Sequence, residues 1–202
     1  MTTALQMPSL SNGTRKPVAQ TCVCRVFVVF GKIGNSEAVK ELSELNGTDG
    51  CRLNGIRFEG FAGSVGPGGE ANDDGFSEVI VGAGAANPYG REDAGEAYLV
   101  FGQSSFAKPV LLEALDGSDG VRIAGERINH HLGRSANISG DLNGDGFVGM
   151  IIGARREAIN GNDRSGSVYV IPDSPYEFGL YPTRSSFNLL ESVTYCRRMP
   201  VH

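Results

Sequence analysis

Asn72-Asp73-Asp74-Gly75-Phe76 returns as Asn143-Gly144-Asp145-Gly146-Phe147, so that Gly75 is matched by Gly146. The same offset carries Val79-Ile80-Val81-Gly82-Ala83 onto Met150-Ile151-Ile152-Gly153-Ala154, and Tyr98-Leu99-Val100 onto Tyr169-Val170-Ile171. Phe30-Gly31 maps onto Phe101-Gly102 likewise. A neighbouring block, Leu45-Asn46-Gly47-Thr48-Asp49-Gly50, returns as Leu115-Asp116-Gly117-Ser118-Asp119-Gly120 at an offset shorter by one position. Drift of that size is what a change in loop length produces. Self-similarity at a fixed period marks an architecture of stacked like units.

Each unit reads as short strands separated by turns. Residues 79–81 and 150–152 are apolar runs bounded by glycine, as buried strands are. Residues 97–101 and 167–171 carry the aromatic and β-branched side chains that strands favour. Residues 111–115 and 121–123 predict strands on either side of the Asp116–Gly120 turn. A helix is allowed around residues 37–45, where Val39, Leu42 and Leu45 fall three apart. Four short strands per unit of about 70 residues predict propeller blades. The expected fold is all-β: an incomplete β-propeller of two blades plus part of a third, built from four-stranded antiparallel sheets. A blade cannot bury both of its faces alone, so its neighbours complete the core. Residues 26–171 hold the repeats. Residues 1–25 match no part of them and read as a flexible N-terminal segment. Residues 172–202 break the pattern and read as a divergent or truncated tail.

Composition agrees with this organisation. Among 202 residues there are 29 glycines, about twice the ordinary ~7% share, as a turn-rich fold needs. Eighteen basic against 23 acidic residues give a net charge of −5, which argues against a nucleic-acid partner, since phosphate binding needs a basic face. The run Val26-Phe27-Val28-Val29-Phe30 is far too short to cross a bilayer, so no membrane insertion is expected. Residues 1–20 are polar and carry no secretory signal. Cys22, Cys24, Cys51 and Cys196 have neither redox-motif nor zinc-finger spacing.

The acidic turns carry the chemistry. In Asp141-Leu142-Asn143-Gly144-Asp145-Gly146-Phe147-Val148-Gly149, oxygen-bearing side chains stand at positions 1, 3 and 5. Glycine follows at position 6, and the Phe147 carbonyl can add an oxygen at position 7. Several hard oxygens in a tight, adaptable loop are what Ca²⁺ takes. The first copy offers Glu70, Asn72, Asp74 and Glu78 at positions 1, 3, 5 and 9, with the Phe76 carbonyl at 7. An EF-hand begins the same way, but needs a glutamate at position 12 and flanking helices. Position 12 is Val81 in one copy and Ile152 in the other, which excludes it.

The pattern resembles the FG-GAP repeat of integrin α-subunit propellers and their bacterial relatives. Gly63-Ser64-Val65, the Glu70–Glu78 loop and Gly82-Ala83 form one copy. Leu132-Gly133-Arg134-Ser135, the Asp141–Gly149 loop and Gly153-Ala154 form the second. The resemblance implies a calcium-braced module for protein interaction or cell adhesion, outside the cell or on its surface, with a protein ligand or partner subunit and no catalysis. Calcium loops would brace one face while partners meet the other. This chain departs from the pattern in having glutamate at positions 1 and 9 of the first loop, Gly149 in place of the last aspartate of the second, and no proline after Gly-Ala. Those departures imply weak calcium sites.

Competing motifs fall away. Gly82-Ala83-Gly84-Ala85-Ala86 imitates a dinucleotide-binding turn, but Asn87-Pro88-Tyr89-Gly90 breaks the helix such a turn must open. His130-His131 are adjacent and would point apart on a strand, so they read as loop or strand-edge residues. Ser64 and Ser135 lie in no nucleophile elbow. Asn12, Asn46 and Asn137 head glycosylation sequons, which matter only in a eukaryotic secretory setting. The two other readings are a structural remnant that binds nothing, and the accessory propeller of a secreted hydrolase.

Overall fold

A computed structural model of the chain describes residues 25–31, 39–55, 63–66, 68–72, 74–107, 109–142, 144, 148–155 and 166–171 in full, and 2–6 and 186–188 as backbone strands. Among these there is no α-helix, and the strands form three sheets. The all-β, incomplete-propeller expectation is borne out.

The middle sheet is a complete blade. β4 (Ser64–Gly66), β5 (Val79–Ala83), β6 (Glu96–Val100) and β8 (Gly120–Ala124) lie side by side, each antiparallel to the next. Its neighbour on one side comprises β9 (Leu132–Ile138), β10 (Met150–Ala154) and β11 (Ser167–Ile171), again antiparallel. On the other side stand β1 (Thr2–Gln6), β2 (Arg25–Val29) and β3 (Gly50–Asn54), antiparallel in turn. The Thr2–Gln6 strand pairs Thr2 with Val29 and Gln6 with Arg25. That is the register in which β5 pairs Val79 with Val100 and Ala83 with Glu96. A segment outside the sequence repeat thus occupies the second-strand position of the first blade.

A short parallel strand closes the outer edge of two sheets. β7 (Val110–Leu111) pairs with β3, and β12 (Ser186–Asn188) pairs with β8. The predicted strand over 111–115 is therefore corrected: after Leu111 the chain turns into a 3-10 helix, Leu112–Ala114. The turn swings Leu112 and Leu115 into the core while Glu113 and Ala114 stay exposed. Its counterpart one repeat earlier, Leu42–Glu44, is also a 3-10 turn. That short turn is all the helix found in the described part of 37–45, and Val39 stays 73% exposed rather than joining an apolar stripe.

Two cores glue the sheets together. Between the first and second blades, Val26, Val28, Cys51 and Leu53 pack on Val79, Val81, Tyr98 and Val100. Between the second and third, Ile80, Ala97, Leu99, Val121 and Ile123 pack on Leu132, Met150, Ile152 and Tyr169. Each fully buried aliphatic side chain of this kind contributes roughly 1.5–3 kcal/mol. Strand alternation sends Val79 and Val81 back and Ile80 forward, so every blade has one rearward and one forward apolar face. The forward face of the third blade carries Ile151 and Val168, which are exposed. Their counterparts Ile80 and Ala97 in the second blade are fully buried.

The motif glycines mark where backbones meet. A Cβ on Gly82 would lie 2.0 Å from the Gly133 carbonyl oxygen of the next blade, so only glycine allows that approach.

Candidate metal site

The β4–β5 connection, residues 67–78, is drawn tight by the Glu78 N–H donating to the Gly69 carbonyl at 3.0 Å. Gly68 makes room, since a Cβ there would collide with the Glu78 carbonyl. Asx-type bonds shape the loop inside: the Asp74 N–H donates to Asn72 Oδ1 and Glu70 Oε1, and the Phe76 N–H to Asp74 Oδ1 at 2.8 Å. The same closing bond recurs in the β9–β10 connection, where the Gly149 N–H reaches the Gly140 carbonyl. Strands rather than helices flank both loops, in keeping with the exclusion of an EF-hand. The loops lie on one face of the stack, because Gly69 of the first abuts Val148 of the second.

Glu70, Asp74 and Glu78 each bring a carboxylate oxygen to within 4.8 Å of the others. Glu78 is fully buried, Glu70 half-buried and Asp74 exposed. Glu78 Oε2 accepts the Ala71 N–H at 2.6 Å, while Oε1 has no hydrogen-bond partner among the described residues. Burial pushes the Glu78 carboxyl up to about 7; the Ala71 N–H opposes the rise, and the charges of Glu70 and Asp74 add to it. A buried carboxylate with one oxygen unanswered, facing two more carboxylates, is a donor set that suits a hard cation.

The other expected ligands stand differently. Asn72 turns its amide onto Asp74, its Nδ2 donating to Asp74 Oδ2 at 2.9 Å, and so braces the loop. Phe76 directs an exposed ring to the side of the blade junction. In the second loop, Asp141 Oδ1 accepts the Gly144 N–H at 2.6 Å, while Asn143, Asp145 and Phe147 lie outside the described residues. Gly149, at the place of Glu78, supplies no carboxylate.

The strands carry the chain from this face to the opposite one, built from the connections 84–95 and 125–131. Four non-glycine residues there have left-handed backbone: Tyr89, Asp93, Asn129 and His131, with φ of 53°, 51°, 61° and 53°. Cross-bonds hold them, as the Asn129 N–H donates to the Glu92 carbonyl and the His131 N–H to that of Asp93, both at 2.9 Å. Tyr89 and Ile128 are exposed. Beneath Tyr89 lie the guanidiniums of Arg91 and Arg122, 5.0 and 5.3 Å from its ring centre. Arg122 in turn pairs with the buried Glu96 at 3.3 Å, and the Tyr98 hydroxyl donates to Glu96. His130 is buried against Tyr169, its Nε2 3.0 Å from the tyrosine hydroxyl, and His131 faces the Gly84 carbonyl. The two histidines do not converge.

Sequence reasoning found the acidic loop but missed that its ninth residue is the buried one. It also missed Glu96 and Arg122, although charged residues inside apolar strand runs were the available signal.

No protein-family model matches the chain. Over 90 residues it is 34% identical to integrin alpha-2 of Mus musculus, a stretch covering 45% of this chain and 7% of that protein. The likeness is to an integrin-like domain. No helix among the described residues is long and apolar enough to cross a membrane.

Proposed function

We propose that the chain is a non-enzymatic, calcium-braced FG-GAP propeller module of an integrin-like adhesion or protein-interaction protein, working outside the cell. The observation that carries this reading is the convergence of Glu70, Asp74 and Glu78, each with a carboxylate oxygen within 4.8 Å of the others, the last of them buried with one oxygen unanswered among the described residues. A cation there neutralises the cluster and ties the hairpin to the blade edge. The partner, a protein ligand or second subunit, meets the opposite face. Strained backbone concentrates at functional surfaces, which supports placing contact at Tyr89, Ile128 and the loops around them. The sequon residue Asn46 is exposed, compatible with a glycosylated exterior.

Calorimetric titration with Ca²⁺ tests the reading on wild type, Asp74→Ala, Glu78→Gln and Asp145→Ala. Binding in the range of extracellular modules, about 10⁻⁴–10⁻³ M, is expected for wild type. Asp74→Ala and Glu78→Gln should each lose the first-loop site, and Asp145→Ala the second-loop site. Equal, negligible heat in all four proteins, with no change in melting temperature, favours the structural remnant instead. Gly149 and the braced Asn72 are the features that speak for that second reading.

A further inference from the structure

We propose that the junction between the first and second blades binds a small uncharged aromatic molecule of one or two rings bearing a single hydrogen-bonding group. An open cavity of about 380 Å³ lies there, within the ~300–1,000 Å³ span of small-molecule sites. Its floor is aliphatic, from Val28, Leu53, Val79 and Val100, with the Cys51 thiol among them. Phe30 and Phe106 form a wall, their ring centres 6.1 Å apart and tilted by 41°. Ser77, Gln103 and Ser104 supply the polar groups. Among the described residues none of the lining carries a formal charge, and the buried Cys51 thiol, pushed up to about 11, stays protonated at neutral pH. An ion would lose its hydration here without repayment, whereas a ring with one donor or acceptor finds apolar walls and a polar contact.

The repeat shows that the apolar lining of this junction is smaller than its counterpart at the next. Val28, Val79 and Val100 correspond, one repeat on, to Leu99, Met150 and Ile171, and Cys51 corresponds in the same way to Val121. Every one of the four is smaller than its counterpart. The larger set fills the second junction, where Leu99, Val121 and Met150 are buried. Empty apolar volume destabilises a fold, and the second junction shows the larger side chains that the same positions can hold. The first junction has instead kept the small ones, opposite a pair of aromatic rings.

The test uses indole as probe, titrated into the full chain and followed by ligand-to-protein nuclear Overhauser effects. It is run once with Ca²⁺ and once with EGTA, so the result stands apart from metal binding. Saturable binding with contacts to the methyls of Val28 and Val79 is expected. Val79→Met and, as a milder filling, Cys51→Val should weaken it by about 10-fold or more, as one misplaced group in an apolar pocket does. Melting temperature in those variants should hold or rise, since they install the side chains of the sibling junction. Absence of contacts to Val28 and Val79, or unchanged affinity in folded variants, overturns the proposal; the first result would mean that the chain fills the cavity itself.

Discussion

Glu78 accepts the Ala71 N–H through Oε2 from a position with no solvent contact, and its Oε1 answers nothing among the described residues. That one bond stabilises the carboxylate, but burial outweighs it, and the group is lifted from 4.5 to about 7. A raised carboxyl favours the folded state in its protonated form. Metal-free protein therefore has this contribution in full below pH 4.5 and loses it as pH rises through 7. Calcium needs the ionised form, so the stabilisation gained from Ca²⁺ should grow across the same window. Melting curves from about pH 5 to 8.5, with Ca²⁺ and with EGTA, should diverge with increasing pH. Parallel curves would remove Glu78 from the site. Glu78→Gln should flatten the EGTA curve and remove the divergence with pH.

Gly102 lies under the Glu70–Glu78 loop. A Cβ added there would sit 2.6 Å from Phe76 Cβ and 2.7 Å from the Ser77 carbonyl. Gly102→Ala should cost about 1–3 kcal/mol in urea unfolding and weaken calcium binding by displacing residues 76–77. Gly82→Ala should cost at least as much, because the obstacle is the backbone of the neighbouring blade, but it should leave the metal loop's affinity near wild type. Similar calcium affinities in the two variants would show that loop and blade edge are not in contact as described.

Glu96 and Arg122 form the one buried ion pair among the described residues whose Arg side chain also underlies an exposed ring. Burial raises the Glu96 carboxyl, while the Tyr98 hydroxyl and Arg122 pull it back. Arg122→Met should destabilise by about 3 kcal/mol, since it leaves an uncompensated buried acid. Adding Glu96→Gln to that variant should restore part of the loss, measured as a double-variant cycle in denaturant. Strictly additive losses would show that the two side chains do not interact.

The repeat was legible because its strands are apolar runs bounded by glycine and its turns reuse the same Asp, Asn and Gly residues. Strands β5, β6, β10 and β11 follow from residue type and period alone. The Thr2–Gln6 strand was not legible, since Thr-Thr-Ala-Leu-Gln has neither an apolar run nor the repeat's signature; it is read only from its pairing with Arg25–Val29. Residues 112–114 were misread as strand because Leu111, Leu112 and Leu115 look equally apolar in either conformation. At the acidic loop, position and residue type pointed to Glu70, Asp74 and Glu78. What spacing cannot convey is depth: that Glu78 is enclosed while Asp74, one turn of the loop away, is in water. The cavity had left its trace in side-chain size, in Cys51 set against Val121 and Val79 against Met150, a comparison that period and polarity do not make.

The forward and rearward faces of each blade differ, and Ile151 with Val168 leave one such forward face open to water. Units joined in this way have a direction, like courses of tongue-and-groove board. Whatever seats on Ile151 and Val168 must offer the tongue that Met150, Ile152 and Tyr169 offer to the blade before them. Two identical copies cannot meet through that face about a twofold axis using the native fit. They can only queue head to tail, in a row that ends where a ring closes or a different edge caps it.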